Sequence, residues 1–178
     1  MVGVGPDGTD DILARVSLVN FYGNVLLDVY VIPTQRVTDW RTIHSGIRPA
    51  DVLKNPEGKP KRYKKEVLMV AKSFDAVQKL VAEIIKDRVL IGHALKGDFA
   101  VLKISHPKED IRDTCLFERF REEYGKGKSP SLKKVVQCEL SISIQSSEHD
   151  SVCLGEIGGL MIGGRCSGGN GIIPINPR

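Results

Sequence analysis

The sequence predicts a mixed α/β sheet with helices packed on it, and three observations carry that expectation. Two β-rich runs, 13–20 and 25–32, flank Phe21-Tyr22-Gly23-Asn24, the pattern of an antiparallel hairpin with glycine in its turn. Further on, apolar residues at 74–85 fall on one helical face. They give way to Val89-Leu90-Ile91, a short apolar run of the kind a buried strand shows. A hairpin followed by strand–helix alternation points to helices laid on a mixed sheet.

In chain order, the first helix presents Phe74, Val77, Leu80, Val81, Ile84 and Ile85 inward and ends at Asp87-Arg88. A second helix is expected over 98–103 and a short strand over 110–112. A third starts at Ser131, whose hydroxyl can cap it, with Leu132, Val135, Val136 and Leu140 on its inner side. Between hairpin and first helix lies 55–65, where Lys59, Lys61, Arg62, Lys64 and Lys65 cluster beside Pro56, Gly58 and Pro60. Turn chemistry makes this a loop. A nuclear-localisation-like patch, a phosphate contact and a solvated insertion are all open readings of it.

At 178 residues the chain is long enough for one domain with a real core and short for two. A net charge of +4 is compatible with a polyanionic partner without demanding one. There is no apolar run of about 18 residues to span a membrane, and the first residues lack the pattern of a secretory signal. Cys115, Cys138, Cys153 and Cys166 stand far apart without a C-x-x-C pair, which argues against zinc and for free thiols. Composition changes near residue 152: eight of the 18 glycines lie in the last 28 residues, with three charges, Glu156, Arg165 and Arg178. Glycine at that density opposes a helix by about 1 kcal/mol per residue relative to alanine. A folded unit over 1–152 and a glycine-rich, poorly ordered tail over 153–178 are expected.

Residues 90–102 carry the most chemistry. A buried strand runs into Gly92-His93, and a carboxylate, Asp98, follows six residues after the glycine at the start of a helix. Open α/β sheets place ligand sites at strand ends, where a carboxylate suits Mg²⁺. An aspartate stabilised by a helix macrodipole is the competing reading of Asp98 alone. His93 reads as a substrate-orienting group or as a histidine hydrogen-bonded in a turn. Arg41 and Trp40 read as phosphate and base contacts or as packing under the 37–47 loop. Arg112 and Asp113 most simply form a structural pair, and Asp7, Asp10 and Asp11 belong to a solvated turn.

Gly92-His93-Ala94-Leu95, with Asp98 and Leu102, resembles the second motif of the DEDDh 3′-to-5′ exonucleases. Further segments resemble the RNA exonuclease 4-like branch and come in that family's order across roughly 1–152. They include Met1-Val2-Gly3-Val4-Gly5, Val37-Thr38-Asp39-Trp40-Arg41-Thr42, Arg112-Asp113-Thr114, Pro130-Ser131-Leu132-Lys133-Lys134 and Glu148-His149-Asp150-Ser151-Val152. The resemblance implies an RNase H-like α/β fold, two bound Mg²⁺ (or Mn²⁺) ions, and a single-stranded RNA or other nucleic acid with a 3′ end as partner. It also implies trimming of ribosomal RNA precursors in the nucleus and nucleolus. In such chemistry two metal ions about 4 Å apart clamp the scissile phosphate while a histidine serves as general base.

Carried over by position, Asp98 matches the third acidic metal ligand and His149 the general base. The family's Asp-x-Glu pair immediately precedes the residues matched by Met1-Val2-Gly3, and the position of the fourth acidic ligand holds Leu154. A first strand cut short, a missing last helix and little or no exonuclease activity are therefore expected. Three readings follow: an RNA exonuclease whose sequence is mis-delimited, a non-catalytic nucleic-acid-binding relative, or a non-functional truncated product.

Overall fold

The computed structural model describes residues 1–52 and 71–144, and residues 160–163 by backbone alone. The chain opens with β1 (Val2–Val4), which turns through Pro6-Asp7-Gly8 and pairs antiparallel with β2 (Asp10–Ile12). Asp10 and Asp11 are thus strand residues, which corrects their expected place in the turn, while both are exposed as expected. The reason is register: Gly3 pairs with Asp11 and Val4 with Asp10, so the turn closes before them.

The expected hairpin is β3 (Arg15–Asn20) and β4 (Val25–Tyr30), antiparallel. Its joint is closed by the Asn20 side chain, whose Oδ1 accepts from the amides of Tyr22 (3.0 Å) and Asn24 (2.9 Å). Asp28 is buried in the middle of β4, yet its carboxylate is fully engaged. Arg15 donates to both oxygens at 2.8 Å and Ser17 Oγ to Oδ1 at 2.8 Å. A charge-assisted, bidentate pair of this geometry offsets the desolvation of the carboxylate.

β5 (Val37–Asp39) returns to β1 and completes a three-stranded sheet of order β2-β1-β5. Two single-turn helices follow, α1 (Thr42–Ser45) and α2 (Pro49–Val52). The 55–65 lysine cluster lies outside the described residues. α3 (Phe74–Ile85) is the first expected helix and buries Val77, Val81 and Ile85 at i, i+4 and i+8. β6 (Val89–Gly92) is the expected buried strand; α4 (Leu95–Leu102) and β7 (Ile111–Asp113) come next, with β7 parallel to β6. α4 begins three residues before the sequence-based boundary, because a corner at Ala94 nucleates it. α5 (Glu118–Glu123) had no sequence signal; α6 (Leu132–Leu140) begins after Ser131, which accepts from the Lys134 amide at 3.4 Å. Val135 and Val136 are buried as expected, but Leu140 is exposed in the last turn.

The larger sheet has order β4-β3-β8-β6-β7, where β8 is Leu160–Gly163. This strand lies inside the stretch expected to carry no regular element. It runs parallel to β3 and antiparallel to β6, so its backbone joins two halves of the sheet that share no other ladder among the described residues. A run of apolar residues too short to show period 2 left no pattern to read. The main core lies between this sheet and α3 and α4, centred on Leu18, Val31, Val81, Leu90, Leu95 and Leu102. A second cluster, with Val2, Tyr30 and Ile47 and with Trp40 against it, sits under the small sheet. Among the described residues no helix is long and apolar enough to cross a membrane.

Candidate functional site

The site is built at the ends of two parallel strands. β6 and β7 pair so that Gly92 stands opposite Asp113, and both strands stop there. The chain leaving β6 must turn at once into α4. Ala94 takes a left-handed conformation, φ 59° and ψ 40°, which for an L-residue costs roughly 1–2 kcal/mol. Gly92 permits the close return of the helix: a Cβ there would lie 2.4 Å from Leu95 Cδ2.

Asp113 holds the corner. One carboxylate oxygen accepts from the Ala94 amide (2.8 Å) and the Cys115 amide (3.0 Å), and the other from the Leu95 amide (3.0 Å). The expected Arg112–Asp113 pair is therefore corrected. Neighbours along a strand face opposite ways, and the Arg112 guanidinium instead donates to the carbonyls of Glu109 (2.7 Å) and Ile111 (3.0 Å).

Thr114 continues the seam. Its amide donates to Gly92 O at 2.9 Å, and its hydroxyl lies 3.1 Å from the same oxygen and 2.9 Å from His93 Nδ1. Burial pushes the His93 pKa down, against the opposing influence of the Asp113 charge and the Pro130 carbonyl. His93 is the hydrogen-bonded turn histidine of the two readings offered by the sequence. It ties the β6 corner to Thr114 and to the residue just before the α6 cap.

Asp98 is the fourth residue of α4 and half-buried. Burial pushes its pKa above the ordinary aspartate value. The nearby Met1 ammonium and its own backbone amide oppose this, and the Asp113 charge adds to it. Met1, the residue before β1, reaches the same turn: a Cβ on Gly97 would lie 3.7 Å from Met1 Cε. Burial in turn lowers the pKa of the Met1 amino group, against the pull of Asp98 and Asp11.

The Arg41–Trp40 pair is committed elsewhere. Arg41 pairs with Asp11, donates to Gly8 O at 2.7 Å and reaches Asp39 at 3.8 Å. Trp40 packs against the second core.

His149, with Glu148–Val152 around it, lies outside the described residues, as does Leu154. Among the described residues no group of three or more histidine, cysteine, aspartate or glutamate side chains could hold a metal ion. Mg²⁺ keeps its octahedral shell unless several oxygen donors replace part of it. Asp98 supplies one such donor, so the described residues do not fit a two-ion cluster. Cys115 and Cys138 are free thiols, the first buried and the second exposed. The sequence pointed to Asp98 and His93 but missed Asp113 and Thr114 as a clamp. A three-residue strand gives no clue to its partner, and it is the pairing with β6 that brings both to the α4 corner.

No family model matches the chain. Over 151 residues, 85% of the chain, it is 50% identical to RNA exonuclease 4 of Candida glabrata and 46% identical to RNA exonuclease 4 of Saccharomyces cerevisiae. The match to RNA exonuclease 4 of Xenopus laevis is 46% over 152 residues. The chain spans about half the length of the two yeast relatives, 51% and 47%, and 32% of the frog protein. Among solved structures it resembles the pseudoubiquitin hydrolase–RNA exonuclease module of Saccharomyces cerevisiae Pan2 in complex with AAGGAA RNA. That match has a TM-score of 0.63 and 28% identity, covering 82% of this chain and 23% of that one. A second structure of the module, in complex with AACCAA RNA, matches with a TM-score of 0.59 and 29% identity, covering 79% of this chain and 22% of that one. The chain is thus a relative of the RNA exonuclease 4 proteins, with the RNase H-like mixed α/β fold of exonuclease domains.

Proposed function

We propose that the chain is an RNA exonuclease domain that addresses the 3′ end of single-stranded RNA, with hydrolysis impaired in the chain as it stands. The observation that carries this reading is the 50% identity to RNA exonuclease 4 over 85% of the chain, together with Asp98 at the strand ends where such sheets gather their ligands. Ribosomal RNA precursors as the substrate, the nucleus and nucleolus as the place of work, and Mg²⁺ or Mn²⁺ as the ion belong to the same proposal.

Two features of the geometry bear on the Asp98 corner. Met1, directly before β1, stands close enough to Asp98 for their charges to act on one another, so residues joined to the start of β1 lie on the Asp98 side of the sheet. β8 begins at the end of the sheet where β6 finishes, since Ile91 pairs with Met161 in antiparallel register. His149 itself belongs to this proposal by its match to the family's motif. The proposed impairment is argued from charge: the described residues offer Asp98 but no carboxylate cluster, and one carboxylate does not retain two divalent ions.

The test is a magnesium and manganese titration with 3′-labelled single-stranded RNA. Little or no shortening is expected, at a rate that Asp98→Asn leaves unchanged. Processive shortening that disappears in Asp98→Asn would overturn the impairment. The single donor at Asp98 favours a second reading, a non-catalytic RNA-binding relative. That reading predicts metal-independent binding that weakens steeply with salt, and salt-insensitive binding would reject it.

A further inference from the structure

We propose that Asp113 is a positioning residue for Asp98, acting through the start of α4. The inference rests on the reading of Asp98 as the functional carboxylate. Three amides converge on one side chain: Ala94 at 2.8 Å, Leu95 at 3.0 Å and Cys115 at 3.0 Å. The first two are among the opening N–H groups of α4, which have no partner inside the helix. Ala94, the N-cap residue, is left-handed and has no side-chain oxygen, so it cannot cap the helix itself. Asp113 supplies that cap from a different strand.

This arrangement differs from an ordinary N-cap in what it couples. A Ser or Asp at the cap position ties a helix to its own preceding residue. Asp113 instead ties α4 to the end of β7, and Thr114 ties the same strand end to Gly92 O at 2.9 and 3.1 Å. The α4 start is therefore fixed relative to the β6–β7 pair. Asp98 lies three residues beyond Leu95, less than one helical turn, so a shift or rotation of the helix start is passed directly to its carboxylate. The second carboxylate beside the site has all three of its observed hydrogen bonds directed at backbone, which is the work of an anchor rather than of a ligand.

The experiment uses the full chain and two variants, Asp113→Ala and Asp113→Asn. Ser131→Ala serves as a control, since it removes a different helix cap, whose hydroxyl bonds to Lys134 and to nothing in the Asp113 clamp. Three signals are followed by NMR: amide exchange at Ala94 and Leu95, the contact between the Met1 methyl and Gly97, and Mn²⁺-induced broadening at Asp98. Asp113→Ala is expected to raise exchange at both amides at least tenfold, weaken the Met1–Gly97 contact, and reduce the Mn²⁺ broadening several-fold. Ser131→Ala should leave all three signals in place.

Asp113→Asn keeps one carbonyl oxygen for Ala94 and Cys115 but turns an NH₂ toward the Leu95 amide, so an intermediate effect is expected. It also serves if Asp113→Ala does not fold. Faster exchange with an unchanged Met1–Gly97 contact would overturn the proposal, because the helix would then keep its seat without the clamp. Equal effects from Ser131→Ala would overturn it as well. Absence of Mn²⁺ broadening at Asp98 in the unsubstituted chain would instead reject the metal-ligand reading, while exchange and the Met1–Gly97 contact still decide the role of Asp113.

Discussion

Asp98 and Asp28 are both aspartates drawn out of water, and they are treated in opposite ways. Asp28 is satisfied by Arg15 and Ser17. Asp98 is held above its ordinary pKa chiefly by burial. A carboxylate whose pKa is raised on folding keeps its proton longer in the native state than in the unfolded chain. Its cost to stability is absent at pH below both pKa values and is fully present once pH exceeds the folded one. Asp98→Asn should therefore raise the melting temperature at pH 7, and that gain should vanish at about pH 3. A series of thermal melts across pH checks this. His93 acts with the other sign: its pKa is lowered by burial, so its share of stability is present above the ordinary histidine range and lost on acidification. Arg15→Ala would strand Asp28 in the core, and a loss of about 3–5 kcal/mol in urea unfolding is expected.

At the scale of elements, the boundaries are set by specific contacts. α6 starts at Ser131 because its hydroxyl accepts from Lys134, but the bond is long at 3.4 Å. Ser131→Ala should cost about 0.5–1 kcal/mol, the low end for an N-cap, read from the urea midpoint. α5 and α6 are locked by Tyr124, whose hydroxyl donates to Glu139 at 2.6 Å while its carbonyl accepts from Lys134 Nζ at 2.7 Å. The Glu139 carboxylate favours the protonated phenol and pushes its pKa up to about 12. The turn after α5 depends on Gly125, where a Cβ would lie 1.8 Å from Lys128 O. Since backbone cannot swing aside as a side chain can, Gly125→Ala should open this turn. A cost of about 1–3 kcal/mol is expected, checked by urea unfolding and by amide exchange at Lys128.

At the scale of the molecule, the larger sheet depends on four residues. β8 pairs with β3 on one side and β6 on the other, and no described ladder joins β3 to β6 directly. Removal of 153–178 would leave two unpaired strand edges in the middle of the sheet. Loss of the cooperative thermal transition is the expected result, followed by far-UV circular dichroism. A deletion variant that melts as sharply as the full chain would show that β3 and β6 hold together through α3 and α4 alone.

Local pattern and motif determined much of this protein. The hairpin, the buried face of α3, the β6 strand and the Ser131 cap were legible because each is a relation among residues within one element, repeated with a period the backbone imposes. The likeness to RNA exonuclease 4 was legible because the matching segments keep their order along the chain. Tertiary structure alone decided the rest. Asp10 and Asp11 became strand residues through register with β1, Arg41 was drawn into the Asp11 pair, and Leu160–Gly163 became a strand by filling a place between two others. Asp113 became the anchor of α4 because two short parallel strands end side by side. Such roles depend on partners distant in sequence, and a run of three or four residues is too short to specify its partner in advance.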